Sequence, residues 1–194
     1  MKSQANLKIT GHVKVVDLAT NKILVDRFNA VNPETLSIVI ANMLQGNSSQ
    51  YVYEMHFGNG GTVISDTGNI TYNEVDENLQ LGTVAELYNP IYYKVVDTTD
   101  ALNNEDETRN KVEVSHEEGL PYTDLIITCT LEENQPETSN PSTTGELVFD
   151  EIGLKSRGSS GVNTGYLLSH IVFDPVEKSA GRVIQVVYTL RINL

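Results

Sequence analysis

The chain has 194 residues, 26 Asp and Glu against 13 Lys and Arg for a net charge of −13, 39% hydrophobic residues, one cysteine and no tryptophan. That composition fits one folded domain rather than a disordered chain, and lone Cys129 excludes an intrachain disulfide framework and a cysteine-based zinc site. No run approaches the roughly 20 apolar residues of a membrane span, and Met1–Asn6 lacks the apolar block of a signal peptide, so an acidic, soluble domain is expected.

Leu7, Ile9, Val13 and Val15 alternate with polar residues, the period-two signature of a half-buried strand. Turn chemistry at Asp17–Asn21 and a second apolar run to Phe28 predict an antiparallel hairpin over residues 6–28. Asn32 then reads as an N-cap, Pro33 as the first helical residue and Glu34 as a match to the helix dipole. Leu36, Val39, Ile40, Met43 and Leu44 follow at helical spacing, which predicts one helix at about 33–45 whose apolar stripe packs on a sheet, with Met43 as core filler.

Tyr51, Tyr53, Met55 and Phe57 share one face of a predicted strand that breaks at Gly58-Asn-Gly-Gly61. Residues 58–87 read as a long decorated loop. Ile91–Val96 fits a short strand or a helical segment, and its periodicity does not separate the two. An acidic loop over 97–110 leads into a strand at Lys111–His116. Leu125, Ile127, Cys129 and Leu131 then share a strand face, which predicts a buried, unreactive thiol. Polar residues 132–146 form a third long loop. Leu147–Leu154 and Tyr166–Phe173 are strand-like, with Pro175 expected to force a change of direction. Ile184, Val186, Tyr188, Leu190 and Ile192 give the strongest alternation in the chain. Together these elements predict a mainly β, single-domain antiparallel β-sandwich, jelly-roll-like, with one short covering helix.

No convergent catalytic set emerges. Gly58-Asn-Gly60-Gly61 lacks the third glycine of a dinucleotide fingerprint and the Lys-Ser/Thr of a P-loop, and a turn needing positive φ explains it more simply. His12, His56, His116 and His170 never fall at metal-ligand helix spacing. Ser159-Ser160 lies in a Gly/Ser loop without the nucleophile-elbow pattern. Glu105-Asp-Glu107 lacks the spacing of a calcium loop. We therefore expect no catalytic residues, no cofactor and no metal site.

Charge is unevenly placed. Residues 1–30 carry +3, Lys178–Leu194 carry +3, and the stretch between them carries −19. That field disfavours free nucleic acid as a partner. It suggests contacts in which Glu105, Asp106 and Glu107 meet cations, such as Arg182 and Arg191, on a neighbouring copy or basic residues on a partner protein.

Two stretches carry a family likeness. Glu54–Thr62, and Phe149–Leu154 with Leu167–Lys178 and Ile184–Ile192, resemble structural proteins of tailed-bacteriophage virions: a strand ending in a Gly-rich turn, a Glu-Ile-Gly-Leu turn, and two closing strands. Asn29–Leu36 also fits the early part of such proteins. The resemblance implies a non-enzymatic virion component of the neck, collar or tail, or alternatively a capsid-exterior decoration protein. It would assemble in the bacterial cytoplasm with copies of itself and other virion proteins, in a ring or at symmetric positions, without contacting a membrane. A reading of a different class is a carbohydrate-binding β-sandwich module, suggested by tyrosines at 51, 53, 88, 92, 93, 122 and 166.

Overall fold

Period-two alternation becomes antiparallel sheet throughout the computed structural model, which describes residues 7–47, 50–73, 82–106, 108–140 and 142–193. In chain order the elements are β1 (Lys8–Asp17), β2 (Lys22–Val31), α1 (Pro33–Leu44), β3 (Val52–Gly58), β4 (Thr62–Ile64), β5 (Ile70–Tyr72) and β6 (Pro90–Val95). They continue with β7 (Asn110–Ser115), β8 (Tyr122–Leu131), β9 (Leu147–Ser156), β10 (Leu167–Lys178) and β11 (Ile184–Asn193). One sheet runs β2-β1-β11-β8-β7 and the other β6-β3-β9-β10. β2 serves both: residues up to Asn29 pair with β1, while Ala30 and Val31 pair with His170 and Ser169 of β10. The result is a β-sandwich-like fold with a single helix, as the alternation predicts.

The core lies between the two inner faces. Val13, Val15, Ile127, Cys129, Val186 and Tyr188 from the first sheet meet Met55, Phe57, Phe149, Ile152, Leu154 and Phe173 from the second. Phe149 makes edge-on contacts with Phe57 at 5.3 Å and Phe173 at 5.8 Å between ring centroids. Each such fully buried side chain stabilises the fold by about 1.5–3 kcal/mol.

Several local expectations change. Residues 58–87 are not one loop, because β4 and β5 form a separate two-stranded ribbon within them. Residues 74–81 lie outside the described residues. Ile91–Val96 resolves as strand β6. β10 does not turn at Pro175 but continues to Lys178, with a register shift between Val172 and Val176 that accommodates a residue lacking an N–H. A shift between Val52 and Glu54 likewise brings Val52 into the core, whereas Tyr53 stays outside that cluster and donates its hydroxyl to Asp100 at 2.7 Å. The helix starts as expected, with Asn32 accepting from the Thr35 N–H, but its stripe is only partly covered: Val39 is buried while Met43 is 54% exposed. Met43 is not core filler.

The two edge strands, β6 and β7, are joined by side chains rather than by a backbone ladder. The Asn110 side-chain amide donates to the Val95 carbonyl at 2.6 Å. Lys94 Nζ donates to the Thr130 carbonyl (2.6 Å), Gln135 Oε1 (2.7 Å) and Glu105 Oε1 (2.8 Å), so all three ammonium protons have partners. A second buried ammonium, Lys178 Nζ, donates to the carbonyls of Glu133, Gly145 and Ser179, each at 3.1 Å, and so ties both ends of the 132–146 loop to β10. Burial pulls that ammonium below the ordinary lysine value, with nearby acids opposing the effect.

Two outcomes are expected from this architecture. Lys94→Met removes the ammonium from a carboxylate, an amide oxygen and a carbonyl; since Glu105 keeps the Gln135 Nε2 donor and some solvent contact, and Gln135 Oε1 keeps the Glu132 amide, the loss is about 2–3 kcal/mol, short of the full cost of breaking a buried pair, and is read by urea denaturation. Cys129 is fully buried, and burial pushes its thiol up to about 12. The native protein should therefore resist thiol reagents at mildly alkaline pH and react only after unfolding.

Candidate functional site

The Gly-rich turn after β3 is held from below by two neighbouring carboxylates of β9. Asp150 accepts the N–H groups of Gly61 and Thr62, each at 2.8 Å, and the Thr62 hydroxyl. Glu151 accepts from the amides of Gly60 (3.1 Å), Asn89 (2.9 Å) and Tyr88 (3.0 Å) and from His170 Nε2 (2.8 Å). Gly58 and Gly61 are required here by proximity, not by positive φ. A Cβ on Gly58 would strike the Glu151 carboxylate, and one on Gly61 would sit 2.8 Å from Val172 Cγ1 and 2.9 Å from the Asp150 carbonyl oxygen. The turn therefore binds carboxylates of its own chain and has no cradle left for a phosphate.

The surface around this turn is buried although it faces away from the core. A strap over residues 82–89 lies on it: Ala85 and Leu87 pack with Leu167, and Glu86 pairs with Lys155. Beside it, Glu54 accepts from His56 Nε2 at 2.8 Å and from the Asn163 amide at 2.7 and 3.0 Å. Burial alone would raise the Glu151 carboxyl, but the hydrogen bonds from His170, Asn89 and Tyr88 outweigh it and hold the group below the ordinary glutamate value. Two glutamates and two histidines are thus spent on each other and on backbone amides. Among the described residues no group of three or more His, Cys, Asp or Glu is placed to hold a metal ion, and no helix is long and apolar enough to cross a membrane.

At the opposite end of β3 the sandwich is open. The partly covered stripe of α1 leaves a cavity of about 330 Å³ between the helix and the ends of both sheets. Its walls are apolar, formed by Leu36, Val39 and Ile40 of α1 with Val112, Leu125 and Leu190 of the sheet beneath. Val114, 70% exposed, and Met43 flank its mouth. The polar rim is already satisfied: Tyr51 donates to Asp97 at 2.6 Å, Arg157 donates to Tyr51 at 2.9 Å, and Arg191 grips Asp124 with two bonds of 2.8 Å. Such a site makes no hydrogen-bonding demand on an occupant and suits aliphatic or aromatic groups.

The residues expected to contact neighbouring copies have partners inside the chain. Glu105 belongs to the Lys94 cluster. Asp106 accepts from the Thr108 amide at 2.7 Å. Arg182 binds Asp17, and the hydrogen bond from that guanidinium, helped by the Thr20 amide, holds the Asp17 carboxyl at about 2. Arg191 pairs with Asp124 and lies 3.9 Å over the Tyr122 ring. Glu107 lies outside the described residues. Charge alone therefore creates no demand for a neighbour at these four described positions. The tyrosines are similarly dispersed: Tyr92 packs against the core, Tyr93 stacks on His56, and Tyr88 abuts His170.

Sequence reasoning missed the pairing of Asp150 and Glu151 with the turn, since a contact across some 90 positions leaves no local signal. It also missed the cavity, which depends on how much of an apolar stripe is actually covered. Comparison with family models, curated proteins and solved structures gives no match.

The folded-state value of Glu151 lies below its unfolded value, so its stabilisation is complete above the unfolded glutamate value of about 4.3 and is lost as pH falls below it. Glu151→Gln turns an amide donor toward existing donors and should cost about 3–5 kcal/mol at neutral pH, as breaking buried ionic networks does. Urea midpoints across an acidic pH series should fall less steeply for the variant than for the wild type.

Proposed function

We propose that the chain is a non-enzymatic structural component of a tailed-bacteriophage virion, assembling as a symmetric multimer in the neck, collar or tail. The observation that supports this reading is the meeting of the two stretches that carry the virion resemblance. Gly58–Thr62 from the first is bound by Asp150 and Glu151 from the second, and His170 of the following stretch completes the network. The likeness thus falls on one connected structural device, a braced turn, rather than on scattered strands.

The chemistry of that device favours a scaffold. Its carboxylates are saturated by backbone amides, and its histidines face those carboxylates instead of an open cleft. No nucleophile and base converge within reach of a shared open space among the described residues, which is what an active site would need. Assembly instead requires rigid elements with apolar surface left uncovered, and the chain keeps such surface at the α1 cavity and on the β4–β5 ribbon.

The test is mass spectrometry of purified phage particles from a host carrying the gene, with immunogold electron microscopy to place the protein. Its peptides should appear in fixed ratio to known virion components, and the label should cluster at the neck, collar or tail. A protein abundant in the lysate but absent from purified particles would overturn the reading, and label confined to the head exterior would move it to the capsid.

A further inference from the structure

The Lys94 cluster, which joins β6 to the connection after β8, holds more than an ion pair. Lys94, Gln135 and Glu105 bond one another in a closed triangle. Nζ donates to Gln135 Oε1 at 2.7 Å and to Glu105 Oε1 at 2.8 Å, and Gln135 Nε2 donates to the same Glu105 oxygen at 2.8 Å. A fourth group comes from the backbone: the Glu132 amide donates to Gln135 Oε1 at 3.2 Å. The Lys94 side chain is 9% exposed and that of Glu105 16%, and both charges act on fully buried Cys129, so the cluster lies against the core.

Neutralising a buried ammonium does not require this arrangement, since Lys178 is satisfied by backbone carbonyls alone. At Lys94 an amine instead faces a carboxamide, with a carboxylate oxygen touching both nitrogens. A C=O bond is about 1.23 Å long, so Gln135 Cδ lies within about 4 Å of Nζ. Reacting atoms held for attack sit roughly 3–3.5 Å apart, a distance reached by a small turn of either side chain.

We propose that Lys94 and Gln135 join in an intramolecular isopeptide bond, with Glu105 as the group that moves the protons. A proton first passes from Nζ to Glu105 along their hydrogen bond, which turns the ion pair into an amine and a carboxylic acid. Removal from water penalises both charges and so favours that exchange. The amine then adds to Gln135 Cδ, and the Glu132 amide meets the negative charge developing on Oε1. Glu105, already in contact with Nε2, protonates that nitrogen; the Cδ–Nε2 bond breaks and ammonia leaves. Of the three ammonium protons, one stays on the new amide, one departs on the ammonia and one remains on Glu105. Nothing is oxidised or reduced, and no co-reactant is needed.

The bond links residues 41 positions apart. It fixes edge strand β6 of one sheet to the end of β8 in the other, where side chains otherwise supply the only tie between the two edges. Closing so long a loop restricts the unfolded chain as a disulfide does, in a protein whose single cysteine cannot form one within the chain. The cluster is closed to other molecules, so the reaction is a single event within one chain and turns over no substrate. The inference goes beyond the virion reading and does not depend on it.

The experiment is intact-mass spectrometry of the denatured full-length protein, followed by a tryptic map. The wild type should be lighter than its sequence mass by one ammonia, and the map should show a branched peptide containing both Lys94 and Gln135, uncut at Lys94. Lys94→Arg should keep its full mass, because a guanidinium does not attack a carboxamide. Glu105→Gln, checked for folding by circular dichroism, should cross-link at least about a hundredfold more slowly. A folded wild type that keeps its full mass through prolonged incubation overturns the proposal without any variant. So does ammonia lost elsewhere, as a succinimide at Asn59–Gly60 with Lys94 and Gln135 in separate linear peptides. Cross-linking of Glu105→Gln at the wild-type rate would likewise overturn it. A cross-linked wild type adds the loss of the closed loop to the cost of Lys94→Met, so the mass is read before any urea midpoint.

Discussion

A carboxylate removed from water must be given hydrogen bonds from somewhere, and at Glu151 the requirement organises one whole side of the molecule. Its two oxygens draw in the turn after β3, the strap before β6 and His170 on β10. Three pieces far apart in the chain are thereby fixed against β9. The strap then covers the outer face of the second sheet, where Leu87 lies against Gly153 and Leu167. Strands β3 and β9 of that sheet are consequently buried on both faces, unlike most antiparallel strands, which leave one face to water. The carboxylates found there are paired because unpaired they would be too costly, although His170 Nδ1 is buried without a partner.

The other end of the molecule obeys the opposite economy. Around α1 the charged and phenolic groups of the cavity rim are paired, and what is left incomplete is apolar packing. The first end is rigid because its hydrogen bonds are directional and shared among several elements. The second is open because the helix buries only Thr35 and Val39 of its twelve residues. The ribbon extends from the rigid end, where Asp150 binds its root at Gly61 and Thr62.

Much of the fold was legible in the sequence because a half-buried strand must alternate, and β1, β8 and β11 do so cleanly. Helix α1 was legible from Asn32, Pro33 and the apolar spacing after them. What could not be read depended on contacts between distant segments. Three residues each at Thr62–Ile64 and Ile70–Tyr72 are too few to show a period. β10 passes Pro175 because a shift in register relieves it of an N–H it lacks, and no local pattern announces that. Glu105 looked like free surface charge because its partner Lys94 reads, in sequence, as one more exposed cation beside tyrosines. The glycines of the turn suggested unusual backbone angles, whereas their smallness beside Glu151 and Asp150 was the property in use.

The Lys178 ammonium holds the carbonyls of Glu133 and Gly145, near the two ends of the polar connection from β8 to β9. Everything between those anchors hangs from a fixed base, so its length is decoupled from the geometry of β8 and β9. Lengthening such a connection costs little, about 0.6 kcal/mol for each doubling, once its ends are pinned. The stretch from Glu137 to Thr144 is therefore the natural port for inserted sequence, whether evolution lengthens it between lineages or an experimenter places an epitope or fluorescent label there.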